Sequence, residues 1–326
     1  MHKEFCQACV LDEEGNEVRH MKFESTPRDA LKFFDYLDDE VKIVVEACGI
    51  KDNVLDVLIE RGFEVVLSDP YKNKLIAQAK NKTDKLDARI LANLLRSGMI
   101  YTSYYPPKHI REVRDLVRHR IQLVRQRTTC KNRIQHMLTR KGVVVKKPFS
   151  QKGTEFLTRS EYPGKPFVRD FLETINFLTW KIDCVEKQIK EIGSEIPEVN
   201  LLRSIPGIDY FSALLIYAEI GDVNRFRNHK KFAGFSGLVP SIHQSGMTER
   251  KGNITKLGSP LFRWILIQAT HICIKYDNCI SRHYQRIKYK TAKNEKKRSN
   301  KAVVAAARKL AVVIYYMLKR GERFRA

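Results

Sequence analysis

The chain reads as an α/β domain followed by an all-α remainder, on three observations. The first hundred residues alternate short apolar runs with helical patterns. The texture changes at Pro106-Pro107. Beyond it, apolar residues recur at three- and four-residue steps through two long segments.

Phe5 to Leu11 is an apolar run followed by the turn Asp12-Glu13-Glu14-Gly15-Asn16 and a second strand near Val18 to Phe23, which predicts a β-hairpin. Thr26-Pro27 is an N-cap and N1 pair for a helix carrying Leu31, Phe34 and Leu37. Val41 to Val45 is a continuous apolar strand of the kind buried on both faces of a parallel sheet. A helix through Leu55 and Ile59 closes at Gly62, and a strand Phe63 to Leu67 ends at Asp69-Pro70. Two helices follow, one near Leu75 and one from Asp84 to Ser97.

After Pro107, Ile110, Val113, Val117, Ile121, Val124 and Thr128 mark one face of a long helix. Val168, Phe171, Ile175, Leu178, Ile182, Val185, Ile189 and Ile192 then form a heptad seam, which needs a partner: the 110–138 helix, another subunit, or both. Pro197 ends that seam and opens a helical domain. In it, Ser204-Ile205-Pro206-Gly207-Ile208 is either a helix-hairpin-helix turn that holds phosphate or a purely structural turn, and Asp209 argues for the latter. The expected division is 1–105, a basic linker at 106–196, and 197–326.

Charge narrows the function. Sixty Lys and Arg against 37 Asp and Glu leave a formal charge of +23, which calls for a polyanionic partner. The excess clusters. Arg111, Arg114, Arg118, Arg125 and Lys131 lie on the first long helix, opposed only by Glu112 and Asp115, so the helix reads as a phosphate-binding rod. A second cluster, Arg286 to Lys301 with Lys296, Lys297 and Arg298 at its centre, reads as a loop that orders on nucleic acid. The run Leu310 to Leu318 is too short to cross a bilayer, so a cytoplasmic, nucleoid-associated protein without membrane contact is expected. Among the seven cysteines, Cys6 and Cys9 form the single C-x-x-C. In a strand its two thiols face opposite sides, which argues against a zinc site.

Asp84 and Asp87, three apart at a helix start, project from one face, and helix-dipole stabilisation alone accounts for such a pair. Glu46, at the carboxyl end of the 41–45 strand, adds a third acid where ligands gather in open α/β sheets. Together the three suit a divalent cation and phosphodiester chemistry.

Glu46, the run Asn81-Lys82-Thr83-Asp84 to Asp87-Ala88-Arg89, Ser204 to Ile208, and Gly237-Leu238-Val239-Pro240-Ser241-Ile242-His243-Gln244-Ser245-Gly246 occur in one order along the chain. In that order they resemble the DEDD transposases of the insertion-sequence one-ten family, recombinases guided by a bridge RNA. The resemblance implies an RNase H-like (RuvC-like) N-terminal domain, coiled-coil helices and a helical C-terminal transposase domain. It also implies Glu46, Asp84 and Asp87 as ligands of Mg²⁺ (or Mn²⁺) and Ser245 as the nucleophile, in a composite site of metal and serine. Ser241 is the competing serine and His243 a candidate base. The implied partners are donor and target DNA, a guide RNA, and further copies of the chain in a homodimer or tetramer joined through the coiled coil.

Family members carry a first acid in an Ile-Asp pair. Here the chain starts Met1-His2-Lys3-Glu4-Phe5, so that position lies upstream of Met1, and three acids of an expected four are present. Two alternatives stay open: a RuvC-like resolvase using metal and water, and an inactive nucleic-acid-binding remnant of an element.

Overall fold

The structure is a computed structural model that describes residues 3–35, 37, 41–47, 51–73, 83–245, 248–290 and 295–325. The chain forms two compact units, 1–108 and 109–326.

In the first unit, β1 (Phe5–Leu11) and β2 (Glu17–Glu24) make the expected antiparallel hairpin. Its register slips once. Val10 faces Arg19 but Leu11 faces Glu17, so Val18 bulges out and is 63% exposed. Helix α1 (Pro27–Phe34) starts at Thr26, whose hydroxyl accepts the Asp29 N–H at 3.2 Å. The strand β3 (Lys42–Glu46), helix α2 (Asp52–Glu60) and strand β4 (Glu64–Ser68) form a parallel β-α-β unit, with Val44 facing Val66 and Glu46 facing Ser68. A short helix α3 (Pro70–Asn73), the helix α4 (Asp84–Arg96) and a two-residue strand β5 (Thr102–Ser103), antiparallel to β4, complete the unit. The helix expected near Leu75 falls outside the described residues.

The hydrophobic core of this unit joins Ala30, Phe33 and Phe34 to Ile43, Val54, Leu58 and Phe63, with Ala8, Val10, Met21 and Phe23 of the hairpin against it. Among the described residues no ladder links β1–β2 to β3–β4–β5, so the unit is a mixed α/β body with two small sheets.

The second unit is mostly helical. The helices α5 (Lys108–Arg140), α6 (Gln151–Arg159) and α7 (Lys165–Glu195) come first. Three contacts fix α5 and α7 as antiparallel neighbours: Arg120 with Glu186 at 2.6 Å, Arg127 with Thr179 at 3.2 Å, and Arg133 over the Phe171 ring at 5.8 Å. The seam on α7 therefore finds its partner within the chain. Leu172 and Gly193 are buried in it, whereas Phe171 is half-buried and Ile192 is 38% exposed, contrary to the heptad expectation. Between these two departures, Ile175, Leu178, Ile182, Val185 and Ile189 keep the expected spacing and are buried.

After α8 (Pro197–Leu202), the turn through Ile205 and Ile208 leads into α9 (Tyr210–Ile220). Asp209 accepts the Ser212 N–H at 2.8 Å as the N-cap of α9, and both isoleucines are buried, so the turn serves the fold. Gly207 has a φ of +89°, and a Cβ there would stand 2.6 Å from the Ile272 Cβ. Helix α9 is buried over almost its whole length, including Glu219 at 3% exposure. Arg114 of α5 donates to the Ala218 carbonyl at 2.8 and 3.0 Å, and Arg118 donates to Glu219 Oε1 at 2.8 and 3.1 Å.

A 3₁₀ turn (Val223–Arg225) and α10 (His229–Phe235) lead to a second hairpin of β6 (Pro240–Ser245) and β7 (Thr248–Ile254). The helices α11 (Pro260–Cys273), α12 (Cys279–Lys290) and α13 (Glu295–Arg320) close the unit. Ser259 caps α11, accepting the Phe262 N–H at 3.2 Å.

Lys296, Lys297 and Arg298 begin α13 and do not lie in a loop. The cause is the alanine-rich run beyond them, where Ala302, Val303, Ala306, Ala307 and Leu310 are buried on one face. A helix nucleated there extends upstream through lysine and arginine, both good helix formers.

Two stability outcomes follow from this packing. Gly207→Ala must strain the backbone and displace Ile272, and is expected to cost about 2–4 kcal/mol in chemical denaturation. Arg118→Ala leaves the buried Glu219 carboxylate without its counter-charge and is expected to cost about 2 kcal/mol. Arg125→Ala, on the exposed side of the same helix, should stay within about 0.5 kcal/mol. Equal effects of the two arginine substitutions would contradict the internal role of Arg118.

Candidate functional site

Glu46 is the last residue of β3, half-buried beside Ser68 at the carboxyl end of β4. Ser68 is fully buried and accepts from Asn73 Nδ2 at 2.8 Å. Asn73 in turn exchanges hydrogen bonds with the backbone of Tyr101, so this strand edge is tied down from three directions. Asp84 opens α4, where the Thr83 hydroxyl accepts the Leu86 N–H at 3.2 Å. Asp84 is exposed, and Asp87, three residues on, is half-buried. Helix α4 packs against both β1 and β3, which puts the two aspartates on an element adjoining the strand of Glu46.

Three carboxylates offer only hard oxygen donors, so the donor set fits a divalent cation of the Mg²⁺ type. Among the described residues their ligand atoms do not lie within 4.8 Å of one another. Mutual repulsion opposes closer approach of three carboxylates without a counter-charge. Cys48, Gly49, Asn81 and Lys82, which flank these acids, are outside the described residues.

The group that does converge is Cys9, Glu17 and His20, whose ligand atoms all lie within 4.8 Å of one another. Cys9 and His20 are direct cross-strand partners. Glu17 joins them through the Val18 bulge. In an unbroken ladder Val18 would oppose Leu11, on the face that Cys9 shares; the bulge puts Glu17 there instead. Glu17 Oε1 lies 3.5 Å from His20 Nδ1, and Glu17 Oε2 lies 3.8 Å from Arg89 Nη1 of α4. Burial, and next the Glu17 carboxylate, push the Cys9 thiol above its usual range. Cys6, the other half of the C-x-x-C, faces the opposite side, where its thiol donates to Ser25 Oγ at 3.3 Å. Strand alternation pairs Cys9 with His20 but puts Glu17 on the other face of its strand, so without the bulge the sequence carries no signal for this cluster.

Ser245 ends β6, with its backbone paired to Thr248 of β7. The hairpin is anchored at its base, where Gly258 has a φ of +78° and a Cβ would overlap the Phe235 carbonyl oxygen at the end of α10. His243 pairs with Arg250 in the same ladder.

The cationic surface is smaller than the charge pattern implied. Arg114 and Arg118 serve α9, and Lys131 lies with its ammonium 5.2 Å above the Phe149 ring. Arg111 is half-buried, while Arg125, Arg133 and Arg140 are exposed along α5 and Lys141 just beyond it. A second basic face lies on α12 and α13, where Arg286, Arg308 and Lys309 are exposed. The charge there is dense enough to be felt by His283: burial first, then Arg286, Lys309 and Arg308, hold its pKa below the ordinary histidine value. No helix among the described residues is long and apolar enough to cross a membrane.

Comparison with known proteins covers both units. The IS110 DEDD transposase family model matches residues 1–142, and the model described as transposase of the IS116/IS110/IS902 family matches residues 199–285. Over 299 residues the chain is 27% identical to the transposase for insertion sequence element IS1111A of Coxiella burnetii, spanning 87% of this chain and 79% of that protein. It is 26% identical over 294 residues to a probable family 20 transposase of Pseudomonas aeruginosa, spanning 87% of this chain and 85% of that protein. A shorter match, 27% over 153 residues, relates it to the pilin gene-inverting protein of Moraxella bovis, covering 44% of this chain and 45% of that one. Both matching models describe IS110-type transposases, and the two transposases above each align over 87% of the chain. The chain belongs to the IS110 family of DEDD transposases.

Proposed function

We propose that this transposase cuts and rejoins the DNA of a mobile element through Ser245, assisted by Glu46, Asp84 and Asp87 and directed by an RNA guide. The observation that carries the reading is the match of both family models in order, one spanning the three acids and the other spanning Ser245. Similarity to a protein named for inverting a gene supports rejoining as well as cutting.

In this reading the Ser245 hydroxyl oxygen attacks a DNA phosphorus. A phosphoserine ester forms as the P–O bond to the leaving strand breaks, and the serine proton passes to the departing oxygen or to solvent. The ester conserves the bond, so the reverse attack by a strand hydroxyl rejoins DNA and frees the serine. A divalent cation such as Mg²⁺ (or Mn²⁺), held by the three carboxylates of an RNase H-like domain, would supply charge neutralisation at the phosphate.

The protein's own contribution to binding is electrostatic. Arg111 and Arg125 on α5, with the basic start of α13 at Lys296, Lys297 and Arg298, attract the phosphates of DNA and guide RNA. We further assign residues 1–105 to metal-dependent chemistry, 106–196 to phosphate binding and self-association, and 197–326 to the serine step. The active assembly is then a homodimer or tetramer acting on donor and target DNA together.

The decisive measurement is the covalent protein–DNA adduct formed with the element's DNA and its flanking RNA, in Mg²⁺. Ser245→Ala should abolish the adduct and leave nucleic-acid affinity within about threefold of wild type, because a hydroxyl adds little to a phosphate interface dominated by cations. Asp84→Asn and Asp87→Asn should depress strand cutting at least about 100-fold. Cutting that survives Ser245→Ala but not Asp84→Asn would instead assign a metal-and-water resolvase. Binding should weaken linearly in log–log form as salt rises, and Arg125→Ala should lower that slope by about one unit.

A further inference from the structure

We propose that Cys9, Glu17 and His20 form a binding site for a borderline divalent cation, Zn²⁺ in the first instance, separate in chemistry from the carboxylates of Glu46, Asp84 and Asp87.

The donor set carries the first part of the argument. A thiolate, an imidazole and a carboxylate together select Zn²⁺ over Mg²⁺, which prefers oxygen alone. One thiolate and one carboxylate also balance the two charges of the ion. Zn–S bonds near 2.3 Å and Zn–N or Zn–O bonds near 2.0–2.1 Å place tetrahedral donors about 3.3–3.8 Å apart. The structure has Glu17 Oε1 3.5 Å from His20 Nδ1 and Glu17 Oε2 3.9 Å from Cys9 Sγ. These separations already sit close to tetrahedral edges, and the whole group spans no more than 4.8 Å.

The second part is independent of donor type. Both ring nitrogens of His20 are buried and neither makes a hydrogen bond, with the side chain 11% exposed. The 3.5 Å approach to Glu17 misses hydrogen-bond geometry, so the imidazole lacks the partner that a buried ring normally has. A metal on one nitrogen satisfies it.

The third part is the bulge. Extruding an apolar residue, Val18, to 63% exposure is unfavourable by itself, and its result is to bring Glu17 onto the face of Cys9 and His20. Three protein donors leave one tetrahedral position for water, and Arg89 of α4, 3.8 Å from Glu17, can hold the carboxylate oxygen that the ion does not use. The ion would clamp the bulged end of the hairpin at the face that α4 covers.

The test uses the full chain, stripped with chelator and titrated with Co²⁺ as a spectroscopic substitute for Zn²⁺. The expected result is a thiolate-to-cobalt charge-transfer band that saturates at one equivalent, is bleached by Zn²⁺ and survives a large excess of Mg²⁺. Cys9→Ser should remove the band, and Glu17→Gln or His20→Gln should raise the dissociation constant about 100-fold or more. Asp84→Asn should leave band and affinity unchanged. Circular dichroism of each metal-free variant checks the fold, and any one folded variant suffices. The proposal is overturned by the absence of a thiolate band in the wild type, by a band that persists in Cys9→Ser, or by displacement with Mg²⁺. In each of those outcomes the three residues are an ordinary cross-strand polar cluster beside Arg89.

Discussion

Helix α9 sets the terms for the larger unit. It is buried on nearly every side, and a helix in that position cannot leave its terminal N–H and carbonyl groups to water. Each end is therefore provided for. Asp209 accepts the Ser212 N–H at the start, and Arg114 donates to the Ala218 carbonyl at the finish. The Glu219 carboxylate, carried inward by the same last turn, is met by Arg118. These contacts tie the first third of α5 to the centre of the helical body. Because α7 runs antiparallel beside α5, they also fix the helix that the charge pattern had marked as a phosphate-binding rod.

This requirement divides the positive charge into two kinds. Arginines that satisfy buried acceptors are part of the fold, and their guanidinium groups are half committed before any nucleic acid arrives. Exposed cations, such as Arg125 on α5 and Arg286, Arg308 and Lys309 on α12 and α13, retain their full attraction for phosphate. The pKa of His283, held low first by burial and then by Arg286, Lys309 and Arg308, agrees with that second surface. A formal charge of +23 thus overstates the charge available at any one face.

The acids and the serine stand on different footings in the two units. Glu46 is held by a strand pairing and by the buried Ser68–Asn73 network beside it, so its backbone position is well determined. Asp84 and Asp87 occupy a first helical turn, where the dipole favours them with or without a cation. Among the described residues, the ligand atoms of the three acids do not all lie within 4.8 Å of one another, and like charge opposes their closer approach. The sulfur- and nitrogen-containing cluster on the first hairpin is already gathered, because hairpin register and a bulge do the positioning. One unit thus presents hard donors still apart and borderline donors already together.

Local signals in the sequence determined the first hairpin, the parallel strand pair, the caps at Thr26, Thr83, Asp209 and Ser259, and the long helices. Each depends on neighbours within a few residues, where periodicity and capping chemistry act directly. The ordered motifs likewise identified the family and named Glu46, Asp84, Asp87 and Ser245. Tertiary structure alone decided what depends on distant partners. Arg114 and Arg118 turn inward because α9, a hundred residues away, ends in buried acceptors. Ser245 closes a strand because β7 pairs with it, and Lys296 to Arg298 are helical because the alanine face beyond them is buried. Glu17 meets Cys9 and His20 because one residue slips out of a ladder. A pattern along one chain records which side chains can share a face; only the pairing of that chain with the rest of the molecule decides which ones do.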